Sequence, residues 1–300
     1  MKDVLKVIDR FSDTKILVVG DFILDEFIFG EISRVSREAP VLILKYQKRK
    51  IVPGGGANAA ANIESLGGQA IPLGFVGDDE TAEQLLSAWS DRIEKGYVFR
   101  DSRFQTTRKT RILAGSFHSF RQQVVRVDYE DRCHLQEEHE ERLMESLAQL
   151  LPEMDALILS DYSLGNLTPR VTELAVKLAT EQGKPIVADS RDHPQHYAGV
   201  TSMTPNITEV EKSLSLQISQ EPSQLEAVAS RLLMEWRLQA LLVTRGKLGM
   251  SLFTQDQITH IPVFGTDEVA DVTGAGDTVT ATYTLALAAG ASYEQAARLA

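Results

Sequence analysis

The chain has 300 residues, of which 43% are hydrophobic and 24% charged, and it contains 10 prolines and 20 glycines. This balance is typical of a folded protein with a sizeable core and excludes a disordered or low-complexity polymer. The net charge of −11 would repel a polyanion, so we expect no nucleic-acid partner. The single cysteine excludes an intrachain disulfide and a thiolate zinc site.

The N-terminal residues mix charged and apolar side chains, so they lack the continuous apolar stretch of about 7–15 residues found in a secretory signal. The longest weakly polar run, 281–291, is shorter than the roughly 18–20 residues that a membrane-spanning helix needs. We therefore expect a cytoplasmic protein without a membrane span, which agrees with the sparse use of cysteine.

Short apolar strands alternate with helical patterns along most of the chain. The predicted strands cover 15–20, 156–160, 185–189 and 240–244, and the predicted helices cover 58–66, 82–89, 137–151, 169–182 and 224–236. Continuous apolar runs of this length indicate strands buried on both faces, and their alternation with helices indicates βαβ units. The sequence therefore predicts an α/β fold with a mostly parallel sheet flanked by helices.

Two segments interrupt this alternation. Residues 27–51 and 97–128 read as extended chain, with apolar and polar side chains alternating at 41–46 and 123–128. We interpret them as a small β-rich subdomain, or lid, laid on the main sheet. Because the sequence shows no internal repeat and no linker, we expect residues 1–300 to form a single domain.

The clearest chemical signal is the segment 268–277, Glu-Val-Ala-Asp-Val-Thr-Gly-Ala-Gly-Asp, which precedes a predicted helix. Gly274, Ala275 and Gly276 are small enough for backbone N–H groups at the helix start to approach an anion. Asp277 falls in the first helical turn, within reach of a hydroxyl that attacks a phosphorus atom. The combination indicates phosphoryl transfer, and the alternative is a glycine-containing loop with an aspartate that favours a helix N-terminus.

A second glycine-rich segment, Pro-Gly-Gly-Gly-Ala-Asn at 53–58, opens the first of the predicted helices. Gly54, Gly55 and Gly56 permit close approach of the backbone, and Asn58 offers a donor and an acceptor to a polyol. The spacing does not fit the dinucleotide-binding pattern G-x-G-x-x-G, and the phosphate loop G-x-x-x-x-G-K-[ST] occurs nowhere in the chain. A flexible turn before a helix is the alternative.

Four further polar residues lie at predicted element ends. Asp21 and Asp25 follow the first strand, where parallel strands present residues to a ligand, so they either bind sugar hydroxyls or are solvated turn residues. Asn206 and Glu209 lie three residues apart at a predicted helix start. They either hold Mg²⁺ through water or form a capping box, which the sequence alone favours.

Lys109 and Arg111 lie on one face of the second extended segment. Two cations in this arrangement can grip a phosphate that the substrate already carries. The alternative is that they protect an exposed strand edge from pairing with another chain.

Three of these motifs together resemble the ribokinase-like (PfkB) family of carbohydrate kinases: residues 271–277, residues 54–58 and the pair Asn206-x-x-Glu209. Further segments are similar to the members that act on D-glycero-β-D-manno-heptose 7-phosphate. These segments are 19–25, 33–41, 122–128, 159–162 and 242–245. The chain departs from that subgroup at Leu164, where a lysine is common. It departs from many relatives at 189–191, where Asp-Ser-Arg stands in place of their Asp-Pro-Lys.

The resemblance implies an enzyme with a doubly wound ribokinase-like fold, a β-rich lid, and ATP and Mg²⁺ as cofactors. It implies a sugar-phosphate kinase that converts heptose 7-phosphate to the 1,7-bisphosphate by phosphorylating O1, the route to lipopolysaccharide core heptose. A family kinase for another sugar or nucleoside is the alternative, followed by a non-catalytic sugar-binding regulator. The resemblance also implies a homodimer formed through the lid. Relatives in the family continue beyond the position of Ala300.

By the same resemblance, Asp277 takes the proton of the sugar hydroxyl, and the amides of 274–276 stabilise the transferred phosphoryl group. The residues implied in sugar binding are Asp25, Gly54, Gly55, Gly56 and Asn58. The residues implied in nucleotide binding are Asn206, Glu209, Thr244, Arg245 and Gly246, the first two also with Mg²⁺ through water.

Overall fold

A computed structural model describes residues 2–115, 122–218, 222–264 and 273–300. In these residues the strands are β1 (Lys15–Gly20), β2 (Phe22–Val35), β3 (Leu42–Gly55), β4 (Gln69–Gly77), β5 (Val98–Asp101), β6 (Arg108–Gly115), β7 (Gln122–Tyr129), β8 (Ala156–Asp161), β9 (Ile186–Ser190), β10 (Ser202–Met203), β11 (Ala240–Thr244), β12 (Met250–Thr254) and β13 (Ile258–Ile261). The helices are α1 (Lys2–Ile8), α2 (Gly56–Ser65), α3 (Glu80–Ala88), α4 (Glu137–Leu150), α5 (Pro169–Glu181), α6 (Ile207–Leu214), α7 (Pro222–Glu235), α8 (Ala275–Ala288) and α9 (Tyr293–Leu299).

The strands form two sheets. The large sheet has the order β13-β12-β11-β10-β9-β8-β1-β4-β5, and the small sheet has the order β3-β2-β6-β7. From β11 to β5 all neighbouring strands run parallel, whereas β12 and β13 are antiparallel additions at one edge. The expected mostly parallel sheet is confirmed.

Both faces of the large sheet are covered by helices, and β1 shows why. Its side chains alternate between the two faces, with Ile16 and Val18 in one buried cluster and Leu17 and Val19 in the other. The first cluster includes residues of α2, α3, α8 and α9, and the second includes residues of α4, α5 and α7. A strand buried on both faces needs a continuous apolar run, which is the pattern seen in the sequence.

The small sheet is the predicted lid, with different boundaries. The antiparallel pair β2 and β3 extends beyond the expected segment 27–51 at both ends, since Phe22 pairs with Gly55. Residues 98–101 were expected in the lid, but they form β5 at the edge of the large sheet, parallel to β4. Their periodicity did not distinguish the two sheets because both need extended chain.

None of the helices that lie within 2–115, 122–218, 222–264 and 273–300 combines the length and the apolar character that a membrane span requires.

One buried polar network fixes the loop that follows β8. Asp21 has 0% of its surface exposed, and its carboxylate accepts hydrogen bonds from the backbone N–H groups of Tyr162, Leu164 and Asn166 at 2.9–3.1 Å. The side chain of Asn166 donates to the same carboxylate at 3.2 Å and also bonds both backbone groups of Phe75 in β4. Burial raises the pKa of Asp21, and these hydrogen bonds oppose the increase.

The structure corrects the prediction that Asp21 binds sugar hydroxyls. Its carboxylate is enclosed and both of its oxygens already accept bonds from the protein, so it holds the 162–166 loop in place. This loop carries Tyr162 towards the carboxyl ends of the strands. The sequence did not distinguish the two roles because the donors come from residues more than 140 positions away.

We expect Asp21→Asn to lower the free energy of unfolding by about 2–4 kcal/mol. The backbone N–H donors of the 162–166 loop would lose a charged acceptor, and the new amide nitrogen would face some of these donors. Urea denaturation followed by circular dichroism measures the change. Asp256→Asn, in the exposed turn between β12 and β13, is the matched control. Equal stabilities of the two variants would contradict the structural role of Asp21.

Candidate active site

The site is built around the start of α8. Gly274 precedes the helix with a left-handed backbone (φ 78°), and a Cβ atom there would lie 2.5 Å from Nδ2 of Asn58. Only glycine therefore fits this position without displacing Asn58. Asp277 lies in the first turn of α8 and is 3% exposed.

Two side chains from distant parts of the chain bond the carboxylate of Asp277. Nδ2 of Asn58, in α2, donates to Oδ2 at 2.9 Å, and the hydroxyl of Tyr162 donates to Oδ1 at 2.6 Å. The glycine-rich segment before α2, the loop after β8 and the start of α8 thus meet at one carboxylate. Asp277 and Gly274 therefore lie beside Asn58, at the end of the glycine-rich segment.

The surroundings of Asp277 shift its protonation equilibrium. Burial raises the pKa of Asp277 to about 6, and the hydrogen bonds from Tyr162 and Asn58 oppose the increase. Burial and the nearby Asp277 carboxylate raise the pKa of Tyr162 well above its usual value of 10, so Tyr162 keeps its proton and remains a donor. Asp277 is therefore mostly ionised at neutral pH and can accept a proton.

Asp25 lies close to this site at the base of the lid. It is 7% exposed, and its Oδ1 accepts a hydrogen bond from Nη1 of Arg111 at 2.5 Å. A Cβ atom on Gly54 would lie 2.6 Å from Oδ2 of Asp25, so glycine is needed there for the carboxylate to fit. Burial raises the pKa of Asp25, and the ion pair with Arg111 opposes the increase.

Lys109 also has a carboxylate partner. Its Nζ atom lies 3.8 Å from Oε2 of Glu130 and 5.6 Å from the centroid of the Tyr162 ring, and the residue is 5% exposed. Burial lowers the pKa of Lys109, and the neighbouring Arg191 lowers it further. Lys109 and Arg111, the predicted phosphate clamp, are thus each balanced by a carboxylate.

A cavity of about 200 Å³ opens in front of Asp277. Predicted site residues that line it are Asn206, Glu209, Thr244, Gly274, Gly276 and Asp277. They come from β11, α6 and the start of α8, so the topology brings residues separated by up to 71 positions to one opening.

Five other residues line the same cavity and were not among the predicted site residues. They are Asp161, Tyr162, Asp189, Arg191 and Thr204. Each lies within one residue of the end of β8, β9 or β10. Their position at the carboxyl ends of parallel strands was the available signal, because ligands bind at that edge of such sheets.

Asn206 and Glu209 form the predicted capping box at the start of α6. Oδ1 of Asn206 accepts from the backbone N–H of Glu209 at 3.0 Å, and Oε2 of Glu209 accepts from the backbone N–H of Asn206 at 2.8 Å. Burial raises the pKa of Glu209. The cap orients both side chains beside the cavity, so the structural interpretation does not exclude the nucleotide role.

The oxygens of this pair also suit a hard cation. In the described part of the chain, no group of three or more His, Cys, Asp or Glu side chains forms a site that could hold a metal ion. Mg²⁺ keeps much of its water and binds through few protein oxygens when phosphates supply the rest. Asn206 and Glu209 therefore fit an ion that is bound mainly by a nucleotide and by water.

The remaining predicted nucleotide residues follow β11. Thr244 borders the cavity, whereas Arg245 turns back and donates from Nη1 to Oγ of Ser251 at 3.2 Å. Gly246 begins a short 3-10 turn with a left-handed backbone (φ 55°). Residues 268–272 of the signature segment lie outside the described residues. The nucleotide contacts of Arg245 and Gly246 stay predictions.

Solved structures of ribokinase-like proteins share this architecture. Arabidopsis thaliana ribokinase, complexed with ribose and ATP, matches with a TM-score of 0.71 at 18% identity, over 95% of this chain and 89% of that one. Escherichia coli phosphofructokinase-2, complexed with substrates and products, matches with a TM-score of 0.74 at 20% identity, over 95% and 89%. At this identity the likeness shows the fold alone.

Two curated relatives share more sequence identity with this chain than these solved structures do. The chain is 38% identical to the bifunctional protein HldE of Geobacter metallireducens (strain ATCC 53774 / DSM 7210 / GS-15) over 302 residues, covering 100% of this chain and 60% of the relative. It is 39% identical to the bifunctional protein HldE of Caulobacter sp. (strain K31), with the same coverage of 100% and 60%. The chain thus spans about 60% of the length of these relatives.

The sequence model of the pfkB carbohydrate kinases matches residues 13–300, which include every residue placed in the site above. The expected α/β fold of ribokinase type and the expected kinase class are both confirmed by these comparisons. The chain is a kinase and belongs to the pfkB family of carbohydrate kinases.

Proposed function

We propose that the protein is an ATP-dependent sugar-phosphate kinase that phosphorylates D-glycero-β-D-manno-heptose 7-phosphate at O1 to give the 1,7-bisphosphate. The membership in the pfkB family supports the reaction class. The identity of 36–39% to the HldE proteins supports the choice of acceptor, together with the heptose-kinase-like segments of the sequence.

The observation that carries the proposal is the meeting of three segments at the Asp277 carboxylate. Asn58 belongs to the glycine-rich segment that is proposed to hold the sugar, and its Nδ2 atom lies 2.9 Å from Oδ2 of Asp277. A sugar bound against 54–58 would therefore have a hydroxyl beside a carboxylate of pKa about 6. A base in that position is what phosphoryl transfer to an alcohol requires.

In the proposed step, Asp277 takes the proton of the acceptor hydroxyl while that oxygen attacks the γ-phosphorus of ATP. The new O–P bond forms, the bond from the γ-phosphorus to the bridging oxygen breaks, and ADP leaves with that oxygen. Asn58 and Tyr162 hold the carboxylate in position through this transfer. Closure of the lid over a bound substrate would exclude water, which otherwise competes for the phosphoryl group.

The start of α8 is positioned to stabilise the negative charge of the transferred phosphoryl group. The first backbone N–H groups of a helix have no partner inside the helix, and the positive end of the helix dipole lies there. Gly276 lines the cavity, and a Cβ atom there would meet no other atom within 4 Å, so space for a phosphoryl group adjoins these amides. Mg²⁺, held beside Asn206 and Glu209, would neutralise the phosphate charges when bound.

A pfkB kinase for another sugar or nucleoside remains the second candidate. The compensation of Arg111 by Asp25 and of Lys109 by Glu130 favours it, since the predicted clamp for a substrate phosphate is not free. A non-catalytic regulator is disfavoured because a protein that only binds sugar has no use for a base at this position.

Two further predictions accompany the proposal. We expect a cytoplasmic enzyme, and we expect two copies to pair through their lids. Exposed apolar side chains on the lid support the pairing, among them Val35 (58% exposed), Val41 (56%) and Tyr46 (69%).

The acceptor is tested by offering the purified chain ATP, Mg²⁺ and a panel of sugars, nucleosides and sugar phosphates, and by measuring ADP release. We expect heptose 7-phosphate to give the highest kcat/KM. Analysis of the product by phosphorus NMR should show a new anomeric phosphate. Turnover of unphosphorylated sugars alone would contradict the proposed acceptor and support the second candidate.

We expect Asp277→Asn to lower kcat by about 10²–10⁴-fold, because the amide cannot take the proton of the acceptor. The KM of the acceptor should change little, since the side chain keeps its shape. Steady-state kinetics measure both constants, with Asp256→Asn as the control for the same chemical change at an exposed position. Retention of more than a tenth of the activity would contradict the role of Asp277 as the base.

The pH profile follows from the same carboxylate. The rate should rise with pH and level off above about 6, where Asp277 is ionised. Tyr162→Phe removes a hydrogen bond that lowers the pKa of Asp277, so the acid limb of kcat/KM should move to higher pH. Tyr293→Phe, which loses a comparable hydrogen bond to Gln239 (2.6 Å) far from the site, should leave the limb in place. A shift in the opposite direction would refute this assignment.

A further inference from the structure

A second polar cavity adjoins the one in front of Asp277. It measures about 440 Å³ and shares Tyr162 and Arg191 with the first cavity. Tyr162 therefore stands between the two spaces, with its hydroxyl on Asp277. A ligand that extends from the Asp277 carboxylate into the second cavity would pass Tyr162 and Arg191.

Four cations line the second cavity, and one of them is already paired. Arg126 donates from Nε and Nη2 to the two oxygens of Asp128, both at 2.8 Å. For Arg132, Arg191 and Lys212, the structure shows no ion pair with any residue in the described ranges. Three cationic groups thus face one space without a carboxylate in contact.

The acidic residues of this wall are partly occupied. Asp128 is taken by Arg126, and Glu130 lies 3.8 Å from Nζ of Lys109. Asp192 accepts a hydrogen bond from Oγ of Ser163 at 3.0 Å, and Asp131 also lines the cavity. With Asp128 and Glu130 each paired to a cation, Arg132, Arg191 and Lys212 stand against Asp131 and Asp192. The uncompensated charge of the lining is therefore +1, which suits an anion.

We propose that Arg191, Arg132 and Lys212 bind the phosphate group that the acceptor sugar already carries. This inference rests on the proposed function, and it replaces the pair Lys109 and Arg111 as the phosphate-binding cations. Guanidinium groups match the geometry of a phosphate with two parallel N–H donors, and an ammonium adds a compact charge. The acceptor then lies with its reacting hydroxyl at Asp277 and its phosphate beyond Tyr162.

Arg191 alone does not discriminate between the two phosphates of the reaction. It lines both cavities, so it is also within reach of the phosphoryl group that is transferred. Arg132 and Lys212 line the second cavity and are not part of the wall of the first. A decisive test therefore changes these two residues.

The experiment compares the 300-residue chain with Arg132→Ser, Lys212→Ala and the double variant. The control is Lys177→Ala on the exposed face of α5, where Nζ lies 4.0 Å from Glu181. Saturation curves are measured for heptose 7-phosphate and for ATP. We expect the double variant to raise the KM of the sugar phosphate about tenfold or more, because one or two charged hydrogen bonds to the acceptor are lost. A tenfold rise corresponds to about 1.4 kcal/mol. The kcat and the KM of ATP should stay within about twofold of the parent.

Inorganic phosphate provides an independent probe of the same cavity. It should inhibit the parent chain competitively against the sugar phosphate, and the double variant should need several-fold more phosphate for the same inhibition. An unchanged KM of the sugar phosphate in the double variant, or an equal rise in the KM of ATP, would overturn this site and leave the proposed function standing. Failure of the parent chain to phosphorylate any sugar phosphate would overturn both.

Discussion

The site depends on one carboxylate that is buried but still able to ionise. Asp277 is 3% exposed, and without compensation its enclosure would favour the protonated form and prevent it from acting as a base. The hydrogen bonds from Asn58 and Tyr162 offset that burial in part, which leaves its pKa at about 6. The same two bonds join α2, the loop after β8 and the start of α8. One pair of contacts therefore fixes the position of the Asp277 carboxylate and partly offsets the effect of burial on its pKa.

A second buried carboxylate shows how surroundings decide the role of an aspartate. Asp21 accepts four hydrogen bonds, three of them from backbone N–H groups of the 162–166 loop. No oxygen of Asp21 is left for a ligand, and its function is to hold the loop that presents Tyr162 to Asp277. Asp21, just after β1, therefore supports Tyr162, and Tyr162 in turn holds the Asp277 carboxylate.

The distribution of paired and unpaired cations directs where an anion can bind. Arg111 and Lys109, although close to the site, are balanced by Asp25 and Glu130. Arg191 has no carboxylate in contact among the described residues and lies where the two cavities meet. An uncompensated cation gains more from binding a phosphate than a cation that must first leave its partner. The charge pairs, more than the number of cations, define the anion sites.

The sequence by itself determined the fold class and the centre of the site. Buried strands such as β1 leave a continuous apolar run, and glycines beside Asp277 and Asn58 mark close backbone approach, because both signals are local. The tertiary structure decided that β5 joins the large sheet, that Asp21 is structural and that Tyr162 contacts Asp277. These outcomes depend on contacts between residues as many as 145 positions apart. The local sequence pattern does not predict these contacts, because the residues on each side of them are distant in the chain and meet only in the folded protein.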